Sequence, residues 1–376
     1  MQRATHADWL TPPANRWAFR HVRELIPTAR VRRGSAVREL AAAPADGLLN
    51  LEFTCTDGIA RTLGPYLEES FTDALVVLHN GAVACEWLRP GVDADEPHIA
   101  MSVSKSITAL LVGVLEGAGL LDTNAPVTAY IPESVGSAFG DATVRHLLDM
   151  TTATAFVEDY SPGPDVRAYR QSTGWYPSEG ISSGLHAYLL TIRKRAAHGQ
   201  RFHYVSPNTD MLGWVCERAS GLPYSDALSR YLWAPLGAES DADVTVDRLG
   251  GMRAAGGLCI VPRDLARLGQ LVVEEGAGVV PAGYIRDLCT GGDPALWAGG
   301  DFAGLLPGGA YRSCFYQPRV EPGVAVGIGI FGQLLYADPA RRVVVAKQSS
   351  WPTPDHEVAD AVAIDASRAI AAALAG

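Results

Sequence analysis

Met101-Ser102-Val103-Ser104-Lys105-Ser106 decides the reading of this chain. Ser102 and Lys105 stand three apart, so on a helix both side chains share one face. The apolar positions Ile107, Leu110, Leu111, Val114 and Leu115 continue that helix. A serine at the first turn of a buried helix is well placed as a nucleophile, because the free backbone N–H groups there favour developing negative charge. A lysine one turn on can take its proton if burial keeps the amine neutral. The chain holds 31 lysines and arginines, yet only Lys105, Lys194 and Lys347 are lysines. Arginine therefore carries nearly all ordinary positive charge, and arginine cannot deprotonate in a protein. The alternative is an N-cap serine followed by a solvated lysine.

Outward from that stretch, composition bounds the answer. The 376 residues are 48% hydrophobic and 19% charged, as in a globular chain with ample core. A net charge of −10 with no basic run argues against nucleic acid. No apolar stretch has membrane length, and residues 1–6 lack an apolar signal core. Cys55, Cys85, Cys216, Cys259, Cys289 and Cys314 are scattered, without a Cys-x-x-Cys pair. They suit reduced packing residues of a cytoplasmic protein, not a zinc site or a disulfide frame. No histidine spacing proposes a metal, and no cofactor is expected.

Residues 1–65 read as an irregular arm with one or two short helices. Ala74–Leu78 and Ala82–Trp87, joined by Asn80-Gly81, give the strongest short hairpin signal. From about 120 to 245 the pattern is mostly helical: 144–150, 185–194, 208–220 and 224–236, with 159–184 as a long loop. Pro262 opens a helix through Val272. Strand patterns return at 324–331, 334–336 and 342–346, and an alanine-rich helix spans 357–374. Strands at both ends with helices between imply an α/β fold: an antiparallel sheet built from both termini (1–105 and 245–376) and an inserted helical domain (106–244).

Three further features bear on chemistry. Tyr204 precedes an apolar helix, where a phenol could shuttle a proton if cations lower its pKa; the bland alternative is packing. Ser206 or Asn208 would cap that helix. Gly327-Ile328-Gly329 would let a ligand approach the strand backbone, whose N–H groups could bind an oxyanion; the alternative is a bulge or tight packing. Gly180-Ile181-Ser182-Ser183-Gly184 matches a nucleophile elbow literally, but no strand precedes it.

Taken together, these residues resemble the penicillin-recognising serine hydrolases: class C β-lactamases, related esterases and D-aminopeptidases. Ser102-Val103-Ser104-Lys105 matches Ser-x-x-Lys. Tyr204-Val205-Ser206, followed by Met211-Leu212-Gly213-Trp214, matches Tyr-x-Asn and its helix. Gly327-Ile328-Gly329 lies where Lys-Thr-Gly should fall. The nylon-oligomer (6-aminohexanoate-dimer) hydrolase branch is more similar still, in 12–19, Met101–Ser106, Glu158-Asp159-Tyr160, 206–210, Tyr231-Leu232-Trp233-Ala234 and Ser349-Ser350-Trp351-Pro352.

The resemblance implies a β-lactamase-like fold and acyl transfer in two steps on a small-molecule amide or ester. Ser102, Lys105 and Tyr204 would be catalytic, with the backbone N–H groups of Ser102 and Ile330 as oxyanion donors. Tyr160, Ser206 and Gly329 would meet substrate, Tyr160 by holding the leaving amine. Ser206 replaces the asparagine, no Lys-Thr-Gly exists, and Phe331 stands where the branch has a histidine. The missing third-motif lysine argues against an efficient β-lactamase. An acyltransferase using the same acyl-enzyme, a non-catalytic binding protein on this fold, and a homodimer stay open.

Overall fold

The structure is a computed structural model that describes residues 3–160, 164–178 and 183–376. Its centre is a seven-stranded sheet running Ala82–Leu88, Thr72–His79, Val343–Ser349, Gln333–Asp338, Ala325–Gly329, Phe315–Gln317 and Ala310–Arg312. Each neighbouring pair is antiparallel. The first hairpin joins the last strand directly, with Val77 opposite Val345. Asn80 and Gly81 both have positive φ, 52° and 80°, the mirror-image turn that matches strand twist.

Helix Pro262–Val273 and helix Glu357–Ala375 both pack on strands Gln333–Asp338 and Val343–Ser349. Strand Val343–Ser349 is buried at all 7 of its residues. That cover explains why Val343-Val344-Val345-Ala346 is continuously apolar instead of alternating. A second, four-stranded sheet orders Thr28–Val31, Ala242–Thr245, Leu258–Ile260 and His98–Ile99. The arm meets the segment that leads into Ser102 through Phe19, whose carbonyl accepts from the Ile99 N–H at 2.8 Å.

The structure corrects several local expectations. The stretch 159–184 is not loop throughout: helix Pro164–Ser172 lies inside it, opened by a proline that needs no N–H partner at that position. Neither Ser206 nor Asn208 is the N-cap of the following helix. Val205 holds that position, and the helix spans Ser206–Ser220. Asn208 instead accepts from Thr152 Oγ1 at 2.7 Å. The helix expected over 185–194 spans Gly184–Thr191. The one expected over 224–236 is Tyr224–Leu228, a wider π turn at Ser229–Trp233, then Ala234–Leu236.

Among the described residues no helix is long and apolar enough to cross a membrane. All six cysteines are free.

Candidate active site

Ser102 is set on a constrained turn. Met101 has φ 45°, which an unbranched but bulky residue adopts only when its surroundings compel it. Met101 is buried in a cluster with Trp9, Phe19, Ile99 and Trp351. Packing thus holds the turn, and the next residue, Ser102, stays partly exposed at the head of helix Val103–Gly117. Its side chain caps no backbone N–H. Lys105 is 1% exposed, so the alternative of a capping serine with a solvated lysine does not hold.

Lys105 Nζ lies 2.8 Å from Ser102 Oγ and 2.8 Å from the carbonyl oxygen of Ala255. Ala255 is itself held: its N–H donates to Asp210 Oδ1 at 2.8 Å, and Asp210 also accepts from the Tyr169 hydroxyl. Burial pushes the Lys105 amine down to about 8; Arg253 acts in the same direction, while Glu158 and Asp210 oppose it. A neutral amine in this place donates to Ala255 and accepts the Ser102 hydroxyl proton.

Tyr204 reaches the same serine. Its buried ring lines the cavity with Ser102 and Tyr316, and Lys105 Nζ lies 5.1 Å from its ring centre. The condition that cations lower its pKa is not met. Burial raises it above the usual phenol value, with Glu158 and Cys314 adding to the rise and Ser102 and Tyr316 opposing it. Burial thus favours the neutral form of both groups, the amine of Lys105 and the phenol of Tyr204.

The glycine-spaced strand crosses in front of the helix. A Cβ on Gly327 would stand 2.9 Å from Ser106 Oγ, and one on Gly329 would stand 2.9 Å from Ala100 O and 3.0 Å from Ser102 N. Both readings of the motif are therefore present, tight packing at Gly327 and close backbone approach at Gly329. Ile330 follows Gly329 and lines the cavity with Ser102. Among the described residues neither the Ser102 nor the Ile330 N–H has a hydrogen-bond acceptor. Two such donors beside one hydroxyl can hold an oxyanion, each worth roughly 3–4 kcal/mol.

The cavity has a volume of about 150 Å3, and Ser102, Tyr160 and Tyr204 line it. Tyr160 is half-buried, and desolvation keeps its phenol well above the usual value. The start of the last helix also lines it, with Asp355, His356, Glu357 and Asp360. A groove of about 390 Å3 adjoins the cavity and shares Leu305 and Glu357 with it. On the other side of Ser102 a small space is lined by Glu158, Ser206, Arg170 and Arg253.

Ser206 is in the site but already engaged, donating Oγ–H to Glu158 Oε1 at 2.9 Å and N–H to Oε2 at 2.7 Å. Phe331 has no bearing on pocket polarity. It is 3% exposed, packs edge-on to Phe19 with centroids 5.0 Å apart, and lines neither space. Lys347 is also buried and away from both spaces, bonded to Ser349 Oγ and Gly332 O. Ser182 of the elbow-like motif lies outside the described residues.

Sequence reasoning missed Tyr316, the Ala255 carbonyl and the acidic wall. Tyr316 sits in a three-residue strand with no periodicity to read. Asp355-His356-Glu357 carries a helix-start signature, and His356 does cap that helix through Ala359 N. Nothing local says that the same turn lines the cavity with Ser102. Among the described residues no group of three or more His, Cys, Asp or Glu side chains is arranged to hold a metal.

This fold and this serine–lysine–tyrosine arrangement define a class, and the comparison with known families agrees: the chain belongs to the beta-lactamase family, whose model matches residues 59–369. It is a serine hydrolase of that family. Within the family it is 38% identical over 373 residues to the 6-aminohexanoate-dimer hydrolase of Paenarthrobacter ureafaciens, covering 96% of this chain and 93% of that one. The solved structure of the "Putative 6-aminohexanoate-dimer hydrolase from Bacillus anthracis" superposes with TM-score 0.85 at 25% identity, over 97% of each chain. EstCE1, "a hydrolase with promiscuous acyltransferase activity", shares the fold at TM-score 0.61 and 15% identity, over 80% of this chain and 96% of that one.

Proposed function

We propose that this enzyme hydrolyses small linear amides and esters, above all amides of linear amino acids with a cationic end, through an acyl-enzyme on Ser102. The observation that carries the mechanism is the buried Lys105 amine 2.8 Å from Ser102 Oγ, with Tyr204 lining the same cavity. Neutral Lys105 accepts the serine proton as Oγ attacks the carbonyl carbon. The Ser102 and Ile330 N–H groups hold the oxyanion. Tyr204 gives its proton to the leaving nitrogen or oxygen and regains one from the Lys105 ammonium, so the pair acts as one coupled acid–base unit. Water then enters along the reverse path and frees Ser102.

The acidic wall supports a cationic substrate end. Asp360 is drawn toward its neutral form by burial, against Lys347 and with Asp355 and Glu357 adding to the rise. A bound ammonium would return it to the charged form. The adjoining groove gives room for a linear chain beyond the cavity. Lys347, engaged away from the cavity, does not supply the missing third-motif cation for a β-lactam carboxylate. The 38% identity to a 6-aminohexanoate-dimer hydrolase points to the same substrate class.

A panel tests this reading: p-nitrophenyl esters of an ω-aminoacyl chain and of its neutral alkanoyl counterpart, a linear ω-amino acid amide, and nitrocefin. The cationic ester should turn over about ten-fold better than the neutral one, with an advantage that shrinks in salt. Nitrocefin turnover equal to the best ester would count against the reading. Adding an alcohol or amine acceptor and analysing products separates hydrolysis from acyl transfer, the second outcome of the same intermediate.

Tyr160→Phe is expected to cut amide hydrolysis by about ten-fold while p-nitrophenyl ester turnover changes little. An amine leaves badly unless its nitrogen is held toward a proton donor, whereas an activated phenolate needs no such help. Tyr160 stands beside Ser102 and Tyr204 in the cavity, where its hydroxyl can do this. Equal losses on both substrates would show that it does not sort leaving groups. The expected division of the chain, 1–105 with 245–376 around an inserted 106–244, belongs to this proposal. The cleft between the two parts would then be the site. The free cysteines suit a reducing compartment such as the cytoplasm.

A further inference from the structure

Nothing above gives Glu158 a role, yet its position joins the two tyrosines of the site. Both of its carboxylate oxygens accept from Ser206, at 2.7 Å from the N–H and 2.9 Å from the hydroxyl. Ser206 begins the helix that follows Tyr204 by two residues, and Glu158 precedes Tyr160 by two in a segment without helix or strand. The pair thus fastens the Tyr160 segment to the Tyr204 helix. It does so next to Ser102, since Glu158, Ser206, Tyr160 and Ser102 line one small space. Lys105 Nζ bonds Ser102 and Ala255, not Ser206. Where the resemblance expects an asparagine amide, this chain has a serine committed to a carboxylate.

We propose that Glu158 is a positioning residue: through Ser206 it fixes Tyr160 relative to Tyr204, beside Ser102. The proposal rests on the acyl-enzyme reading above. The groups facing Lys105 come from several elements. Glu158 lies on the Tyr160 segment, Asp210 on helix Ser206–Ser220, Arg253 on the turn before Ala255, and Cys314 between strands Ala310–Arg312 and Phe315–Gln317. Ser102 sits on its own helix, and the Tyr204 ring lies 5.1 Å away. Asp210 is hydrogen-bonded by Tyr169 and Ala255 and lies 3.7 Å from Arg253, so its charge is locally balanced. Glu158 and Asp210 favour the ammonium and Arg253 disfavours it.

The test is kcat/KM for a p-nitrophenyl ester and a linear amide, measured on Glu158→Gln, Glu158→Asp and Ser206→Ala with Ser102→Ala as control and thermal stability recorded for each. Aspartate shortens the reach to Ser206, so the amide rate should fall about five-fold relative to the ester, the size of one hydrogen bond. Ser206→Ala should behave like Glu158→Asp. Glutamine keeps the reach and one acceptor oxygen, so Glu158→Gln should retain more of the amide-to-ester ratio than Glu158→Asp. A merely structural role would lower thermal stability and both rates together and leave the ratio unchanged. An unchanged amide-to-ester ratio in Glu158→Asp and Ser206→Ala overturns the proposal. If Glu158→Gln does not fold, the two remaining variants decide it through that ratio. An active Ser102→Ala would overturn the acyl-enzyme reading itself, whereas an inactive one beside an unchanged ratio overturns only the Glu158 assignment.

Discussion

Ser102→Ala is expected to lower kcat for the best p-nitrophenyl ester by roughly 10^4- to 10^6-fold while leaving the fold intact. The side chain is partly exposed and caps nothing, so its loss removes no structural hydrogen bond of the helix. On the proposed mechanism, what disappears is the step in which a covalent bond to substrate forms. Lys105, Tyr204 and the two N–H groups would remain, and oxyanion stabilisation with substrate binding would leave only a small residual rate. Mass spectrometry after fluorophosphonate treatment gives the matching positive result: added mass on the peptide containing Ser102 in the parent enzyme and none in the variant. Label on Ser182 would overturn the assignment.

Lys105→Arg should cost roughly 10^2- to 10^4-fold, although it keeps a positive charge at the same place. Arginine holds its proton throughout the accessible pH range, so it cannot accept one from Ser102. The same logic sets the pH dependence of the parent enzyme. On the proposed mechanism the base is neutral Lys105, whose amine burial pushes down to about 8, so kcat/KM should rise about ten-fold per pH unit below that value and level off above it. Tyr204, raised above the usual phenol value, should contribute no descending limb until strongly alkaline pH. A flat profile between pH 6 and 9, or an active Lys105→Arg, would show that some other group takes the proton.

Much of this enzyme was readable from short stretches, wherever the controlling physics is local. Asn80-Gly81 implied a hairpin because both residues accept positive φ, and both have it. Pro262 opened a helix that spans Pro262–Val273, close to expectation. The apolar runs 324–331 and 342–346 are the strands Ala325–Gly329 and Val343–Ser349, and the alanine-rich segment is helix Glu357–Ala375. Strands Ala310–Arg312, Phe315–Gln317, Thr28–Val31 and Leu258–Ile260 were not legible. At three or four residues each they show no period, and their partners are distant in sequence or of equally short reach.

The sequence by itself determined which residues could do the chemistry: a serine and a lysine on one helical face, a tyrosine before a second helix, and a strand without side chains at two alternate positions. Those are matters of residue type and spacing. Only the tertiary structure decided their protonation. Burial of Lys105 and Tyr204 comes from segments hundreds of residues apart, and it lowers the amine while raising the phenol. Tertiary packing also decided that Ser206 answers to Glu158 and that Phe331 belongs to the core. It likewise placed the start of the last helix as an acidic wall of the cavity that Ser102 lines. The reason is the same in each case: desolvation and through-space charge depend on what surrounds a group, and sequence neighbours supply only a small part of that surrounding.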